Sequence, residues 1–309
     1  MIEILNGGML STIQDKGRIG YQRFGVPVSG PMDWYAAALA NRLVGNTDDA
    51  PLLEITIIGP TILLEDSCRF ALTGAAFPAR LDGQTIEMNT GIEATGGNRL
   101  TIGNATSGAR GYLAFCGGLV VAPQLGSVST YTKARLGGLD GTALKAGDRI
   151  ALGCTDLSHC SGQLYPSTPA LDYSSSPTVR IVVEDRTDHF DRSAIDKLTS
   201  SSYHLTHASD RMGYRLEGPQ LAYSSDCDGN IISEGVTLGS IQVIDRRPVI
   251  LMADHQTIGG YAKIATAIRA DIPLLAQLRP GDKVRFTQVT TEEAQRAYLE
   301  MRQHLEECS

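Results

Sequence analysis

The sequence predicts a mainly-β fold of two related lobes, with a few short helices and a helix at the C-terminal end. Three observations carry this expectation. Apolar runs of five to seven residues alternate with glycine-rich turns along most of the chain. Thirty-three glycines are spread over 309 residues, and segments with helical periodicity are few. Short motifs recur in the same order in both halves. The length fits about two domains and is enough to bury a core without staples.

In chain order, residues 52–58 (LLEITII) read as a strand stopped by Gly59 and Pro60, and 69–73 (RFALT) as one stopped by Gly74. Residues 111–116 (GYLAFC) end at Gly117 and Gly118. Residues 178–183 (TVRIVV) open the second half, and 248–253 (PVILMA) form a continuous apolar run suited to a central buried strand. Three segments look helical. Residues 31–44 have Pro31 near the first turn and Gly45 at the stop, with Met32, Tyr35, Leu39 and Leu43 on one face. Residues 192–199 form a short helix. Residues 290–307 open on Thr290-x-x-Glu293, a capping box, and carry a stripe of Ala294, Ala297, Met301 and Leu305 that is expected to pack on a barrel.

The repeat pairs 144–150 (LKAGDRI) with 278–284 (LRPGDKV), 58–60 (IGP) with 217–219 (EGP), and 15–21 loosely with 210–214. Three matches in order favour duplication over the chance recurrence of common turn dipeptides. A polar stretch rich in Ser and Pro lies between the halves. The expected layout is a β-rich lobe at 1–155, a linker at 156–177, a second lobe at 178–289 and a helix at 290–309.

The net charge of -7 argues against non-specific nucleic-acid binding, which needs a basic surface. No basic leader with an apolar core opens the chain, and no run of about 18 apolar residues occurs. No membrane association is therefore expected, and the cytoplasm is the expected location. The six cysteines form no CxxC pair, so reduced thiols are expected. Cys154, His159 and Cys160 match no standard zinc spacing, and His204 with His207 suits a strand or loop better than a helical ligand pair, so no metal is expected. Gly103 to Gly108 has Walker-type glycine spacing but continues Ala109-Arg110. No GxGxxG opens a helix and no GxSxG elbow occurs.

Four groups of segments carry a family signature: 8–21 (GMLSTIQDKGRIGY) with 25–33 (GVPVSGPMD); 40–46 (ANRLVGN) with 53–56 (LEIT) and 72–75 (LTGA); 112–118 (YLAFCGG) with 125–130 (LGSVST); and 209–219 (SDRMGYRLEGP) with 233–236 (SEGV), 239–243 (GSIQV) and 254–263 (DHQTIGGYAK). Together they resemble the allophanate-hydrolase-subunit-2 family, also called the biotin-dependent carboxyltransferase family. The resemblance runs from about Gly8 to Phe286. It implies cyclophilin-like β-barrel lobes. The sequence departs from the family at His255, where Arg is common, and at Ile258, where Thr is common, which puts a cationic role for position 255 in doubt.

The expected site draws on motifs of both halves, where charged groups adjoin glycine-rich turns that can aim N–H groups at an anion. Asp15 and Arg18 are either a local salt bridge in a tight turn or functional. Asp33 reads as a helix-terminus carboxylate, Asn41 as a site contact or a loop cap, and Glu54 as a buried carboxylate that needs a partner. Ser127, Ser129 and Thr130 are either anion binders or a serine-rich turn. Glu234, Asp254 and Lys263 are the catalytic candidates. Arg211, Gln256, Gly259 and Gly260 join the substrate- or phosphate-binding set, with Arg211 and Lys263 suited to an anion.

The family includes the C subunit of 5-oxoprolinase, an antagonist of a histidine-kinase inhibitor, and a region of urea carboxylase. The resemblance therefore implies one component of a hetero-oligomer that opens 5-oxo-L-proline to L-glutamate with ATP. Two partner chains are expected, a homologue of the kinase inhibitor and a LamB/YcsF-type protein. ATP with Mg is implied at the level of the complex, and no biotin is expected on this chain, which shows no Met-Lys-Met site. A carboxyltransferase module and a regulatory binder are the other two expectations.

Overall fold

The computed structural model describes residues 1–156, 171–184, 189–225 and 227–307. Most of the expected linker, including His159 and Cys160, lies outside the described residues, as does Cys308. The chain divides into two compact units. The first comprises Met1–Ile19, Ser29–Tyr173 and the end from Leu305; the second comprises Gly20–Val28 and Ser174–His304.

The first unit has two antiparallel sheets. One runs Leu119–Val120, Arg149–Leu152, Ile2–Asn6, Thr61–Leu64, Arg99–Ile102, Ala79–Leu81, Gln84–Ile86. The other runs Leu10–Gln14, Leu52–Thr56, Ser107–Phe115, Cys68–Ala76, Gly91–Ala94. Ile4, Ile62 and Leu100 of the first sheet and Leu53, Phe70 and Leu113 of the second belong to one apolar cluster, so a single core serves both. The helix Trp34–Leu43 packs on the five-stranded sheet. Strands 52–56 and 107–115 are thus covered on both faces, which is why they read as unbroken apolar runs.

The second unit is a closed barrel. Its strands run Thr178–Val183, Lys263–Ala267, Ser240–Ile244, Arg247–Leu251, Gly213–Glu217, Ser202–Leu205, Lys283–Gln288 around the ring. The parallel pairing of 178–183 with 283–288 closes it, and closure removes exposed strand edges. Val179 and Ile181, Tyr203 and Leu205, Tyr214 and Leu216, Val284 and Phe286 are buried at every second position. A two-stranded ribbon, Asn230–Gly235 with Ile258–Tyr261, stands beside the ring.

The mainly-β reading holds, and so do the three helices. The first begins at Trp34 rather than Pro31, because Asp33 is its N-cap and accepts from Ala36 N at 2.9 Å. Met32, Tyr35, Leu39 and Leu43 are all buried. The second spans Arg192–Ser200. The third spans Thr291–Glu307; Thr290 N donates to Glu293 Oε2 at 2.8 Å and Glu293 N to Thr290 Oγ1 at 3.2 Å, a reciprocal capping box. Ala294, Ala297 and Met301 pack with Ile268 and Val182 of the barrel unit. A fourth helix, Ile272–Ala276, was not expected from the sequence. Its five residues are too few for helical periodicity to register. His204 lies on strand 202–205, with its ring 3.4 Å from the Gly281 carbonyl. Cys116 is disulfide-bonded, against the expectation of reduced thiols, because cysteine spacing carries no information on which thiols meet.

The duplicated motif forms the same turn twice. Asp148 accepts from Lys145 N at 2.9 Å, and Asp282 from Arg279 N at 2.8 Å. Gly147 N donates to Ile4 O at 2.8 Å, and Gly281 N to Leu205 O at 2.8 Å. The return bonds, Ile4 N to Asp148 O and Leu205 N to Asp282 O, are 2.8 and 2.9 Å. Each turn thereby ties the strand after it to the strand it pairs with. The looser echo holds too: Asp15 accepts from Gly17 N and Asp210 from Met212 N, at 2.9 and 2.8 Å. Gly281 has φ +93° and open space around it. Gly281→Ala is therefore expected to cost about 1–2 kcal/mol from backbone strain alone. An unchanged urea midpoint would refute that account.

Candidate functional site

In the first unit a polar row crosses the five-stranded sheet on the face toward the helix. Thr12, Glu54, Tyr112 and Thr73 are successive register partners on neighbouring strands, and all four are buried. Their strand neighbours Leu53, Ile55 and Leu113 point into the apolar core. Glu54 Oε2 accepts from Met32 N at 2.8 Å and from the Tyr112 hydroxyl at 2.9 Å, and Arg110 Nε lies 3.8 Å from Oε1. Asp33 N donates to the Tyr112 oxygen at 2.8 Å, Tyr173 donates to Asp33 Oδ2 at 2.8 Å, and Thr73 donates to the Ala36 carbonyl at 2.7 Å. Burial, reinforced by the Glu54 and Asp33 charges, pushes the Tyr112 hydroxyl well above its usual range, so it remains a donor. Asn41 caps a loop, donating to the Asp48 and Ala50 carbonyls. These residues dock the helix on the sheet.

Asp15, Arg18, Ser127, Ser129 and Thr130 come together in the same unit. Asp15 Oδ1 accepts from the hydroxyls of Ser127 and Ser129, the latter at 2.7 Å, and Oδ2 accepts from Val128 N at 2.8 Å. Arg18 is fully buried, and its guanidinium donates to the Ser129 carbonyl. Gly137 passes over that guanidinium so closely that a Cβ would collide with it. Thr130 donates through N and Oγ1 to the Ile13 carbonyl at 2.8 and 3.0 Å. Burial works to raise the Asp15 carboxyl, but the Ser127, Ser129, Val128 and Gly17 donors outweigh it and leave it below its usual value. The serine hydroxyls are thus directed inward, onto a carboxylate of their own chain.

In the second unit Arg211 and Asp254 pair with each other. Nε meets Oδ2 at 2.9 Å and Nη2 meets Oδ1 at 3.1 Å, with both side chains buried. This bidentate pair fixes the loop that follows strand 247–251, and Asp254 N adds a bond to the Arg211 carbonyl at 2.8 Å. His255 is buried beside it, its Nδ1 2.5 Å from the Gln256 carbonyl, and burial lowers its pKa.

A second group in this unit centres on Gln242, which sequence reasoning missed. Its side chain is buried, accepts from Gln256 Nε2 at 3.3 Å and donates to the Tyr261 carbonyl at 3.0 Å. Lys263 is its register partner across a bulge, and its ammonium lies 3.3 Å from Glu184, also not anticipated. Gly259 packs on the Gln242 amide so tightly that a Cβ would collide. Gly259 pairs in register with Glu234, which is exposed on the ribbon, and Gly260 lies on the same strand. Gln256, Gly259, Lys263 and Glu234 are thereby linked through Gln242 and the ribbon. The signal was a polar residue within the buried run 239–243, the same signal that singled out Glu54.

Two hollows of about 470 and 520 Å³ lined by described residues of this unit hold none of these residues; Arg215, Glu217 and Arg247 line one, and Gln288 to Glu293 the other. Volume alone does not mark chemistry, and the convergent polar groups are the better guide. Among the described residues no group of three or more His, Cys, Asp or Glu is placed to hold a metal ion, and no helix is long and apolar enough to cross a membrane.

A family model described as carboxyltransferase domain, subdomain A and B, matches residues 24–288. The chain is 37% identical to the C subunit of 5-oxoprolinase from Escherichia coli, over 100% of this chain and 98% of that one. It is 35% identical to urea amidolyase of Saccharomyces cerevisiae, over 94% of this chain but 17% of the relative. The crystal structure of the K. lactis urea amidolyase superposes with a TM-score of 0.93 at 31% identity, covering 100% of this chain and 20% of that one. The chain thus spans nearly all of the first relative and about a fifth or less of the urea amidolyases.

Removing one partner of the Arg211–Asp254 pair leaves a buried charge. Asp254→Ala is expected to destabilise the protein by about 3–5 kcal/mol, read from the urea unfolding midpoint; a loss under about 1 kcal/mol would refute a buried pair. Asp15 has a folded-state pKa below the 3.8 of an ordinary Asp, so its contribution is full above that value and is lost as pH falls through the folded pKa. Asp15→Asn should therefore flatten the acid limb of a Tm-versus-pH curve below pH 3.8. An acid limb identical to that of the parent chain would contradict the assignment.

Proposed function

The chain belongs to the family of carboxyltransferase domains, subdomains A and B, and from that premise we propose that it is the C subunit of an ATP-dependent 5-oxoprolinase. In this reading it opens 5-oxo-L-proline to L-glutamate together with two partner chains, one kinase-inhibitor-like and one of LamB/YcsF type. The observation that carries the proposal is the extent of the alignment. It runs over 98% of the 5-oxoprolinase relative at 37% identity.

The chemistry needs activation. A lactam carbonyl is a poor electrophile until its oxygen is phosphorylated, so ATP hydrolysis is coupled to ring opening. The hydroxyls of Ser127 and Ser129 point at Asp15, and the acidic side chains form no metal cluster among the described residues. The described residues offer no fitting site for a nucleotide and its Mg, so in this reading ATP belongs to the assembled complex.

The residues that fit a substrate anion are those around Gln242. The Lys263 ammonium, steered by Glu184, offers a cation for a carboxylate or a phosphoryl oxygen. The Gln242 and Gln256 amides, bonded to each other, offer polar groups nearby. Glu234 is the exposed carboxylate for proton transfer, presented on the ribbon opposite Gly259. Asp254, neutralised by Arg211, acts as a positioning residue for the loop that carries Gln256. The structural likeness to urea amidolyase favours a second reading, a carboxyltransferase module that works with biotin-bearing chains.

Mixing the purified chain with the kinase-inhibitor-like and LamB/YcsF-type partners, ATP and 5-oxoproline is expected to yield glutamate. No glutamate from three folded chains would sink the first reading, and a carboxylated product with a biotin-bearing chain and bicarbonate would establish the second. In the active mixture Lys263→Ala and Glu234→Ala should each lower kcat/KM by at least about tenfold. Parental rates in both would remove them from the site.

A further inference from the structure

Outside these groups, the loop that leads into the ribbon brings a thiol and an imidazole together. Cys227 Sγ lies 3.3 Å from His189 Nδ1, and the same sulfur accepts from Gly229 N at 3.3 Å. Both side chains are partly exposed. Residues 38 positions apart are held in place from both sides. Ser224 N donates to the His189 carbonyl at 3.0 Å, Cys227 N to the Ser224 carbonyl at 3.1 Å, and the rings of Phe190 and Tyr223 pack in a tilted pair with centroids 5.6 Å apart. Gly229 is pinned by Ala262 N, which donates to its carbonyl at 2.9 Å. The pair is therefore preorganised rather than formed by two free surface side chains.

We propose that Cys227 and His189 form a nucleophilic thiol site that takes small, soft carbon electrophiles. An imidazole nitrogen within hydrogen-bond reach accepts the thiol proton, and a backbone N–H aimed at sulfur stabilises the anion that results. The Cys227 proton passes to His189 Nδ1 and a sulfur lone pair forms the new S–C bond. The bond from that carbon to its leaving group breaks, and the leaving group departs with the electron pair. The imidazolium returns its proton to solvent.

Two other free thiols in the same chain serve as internal references. Cys68 is buried, and desolvation pushes its thiol up to about 12, the amino terminus opposing and Asp66 adding to the shift. Cys154 is partly exposed and bonds to the Asp156 carbonyl at 3.2 Å, which is no base.

The test is alkylation of the whole folded chain by iodoacetamide at pH 7, with the rate at each cysteine followed by peptide mass spectrometry. Cys227 is expected to react at least about tenfold faster than Cys154, with Cys68 inert. His189→Asn places an amide oxygen where Nδ1 stood, keeping a hydrogen-bond acceptor but removing the base. It should slow Cys227 about tenfold and leave Cys154 unchanged. Equal rates at Cys227 and Cys154 in the parent chain would overturn the proposal, whatever the variant does. So would a folded His189→Asn protein, checked by circular dichroism, that alkylates at Cys227 as fast as the parent.

Discussion

The central sheet of the first unit is covered on both faces, and that burial is the constraint on which its architecture rests. A polar side chain in such a sheet has no water to turn to, so each one must be satisfied from within. Glu54 is where the constraint is tightest. Its carboxylate takes the amide of Met32 and the hydroxyl of Tyr112, and Tyr112 in turn takes the amide of Asp33. Those two amides open the helix Trp34–Leu43, so the buried acid sets where the helix begins and how its apolar face meets the sheet.

The same accounting separates the candidate site residues into two kinds. The oxygens of Asp15 are occupied by Ser127, Ser129, Val128 and Gly17, and those of Asp254 by Arg211. Groups spent in this way hold loops in place. Lys263, Gln256 and Glu234 retain exposure, and the buried amide of Gln242 bonds the Gln256 side chain. Buried, fully paired charges fix geometry while partly exposed ones meet ligands, which is why the proposed chemistry rests on the second kind.

Both units use one device to start a strand. A glycine with positive φ and an aspartate that caps a backbone amide turn the chain at Gly147–Asp148 and again at Gly281–Asp282. The strands beyond differ in their company: one joins a seven-stranded sheet, the other closes a barrel. Like turns can sit in unlike sheets, because the turn depends on a few neighbouring residues and the sheet on distant partners.

Much of this protein is legible in its sequence alone. Period-two and unbroken apolar runs located the strands, Asp33 and Thr290 with Glu293 marked helix starts, and the repeated Leu-x-x-Gly-Asp motif announced two related units. Charged residues near glycines nominated Asp15, Arg211 and Lys263, and a place just beyond the 248–253 run nominated Asp254. These are local signals, written in the spacing of neighbouring residues. Which polar group meets which is not local. The pairing of Arg211 with Asp254 and of Cys227 with His189 spans 43 and 38 positions, and the Asp15 hydroxyl donors lie 112 and 114 residues away. Gln242 sat in plain view within a buried run, but its partners Gln256 and Tyr261, like the pairing of Lys263 with Glu184, are set by tertiary contact. Sequence periodicity determined the elements and their inward faces; only the closure of the sheets decided which side chains are spent on each other and which keep exposure.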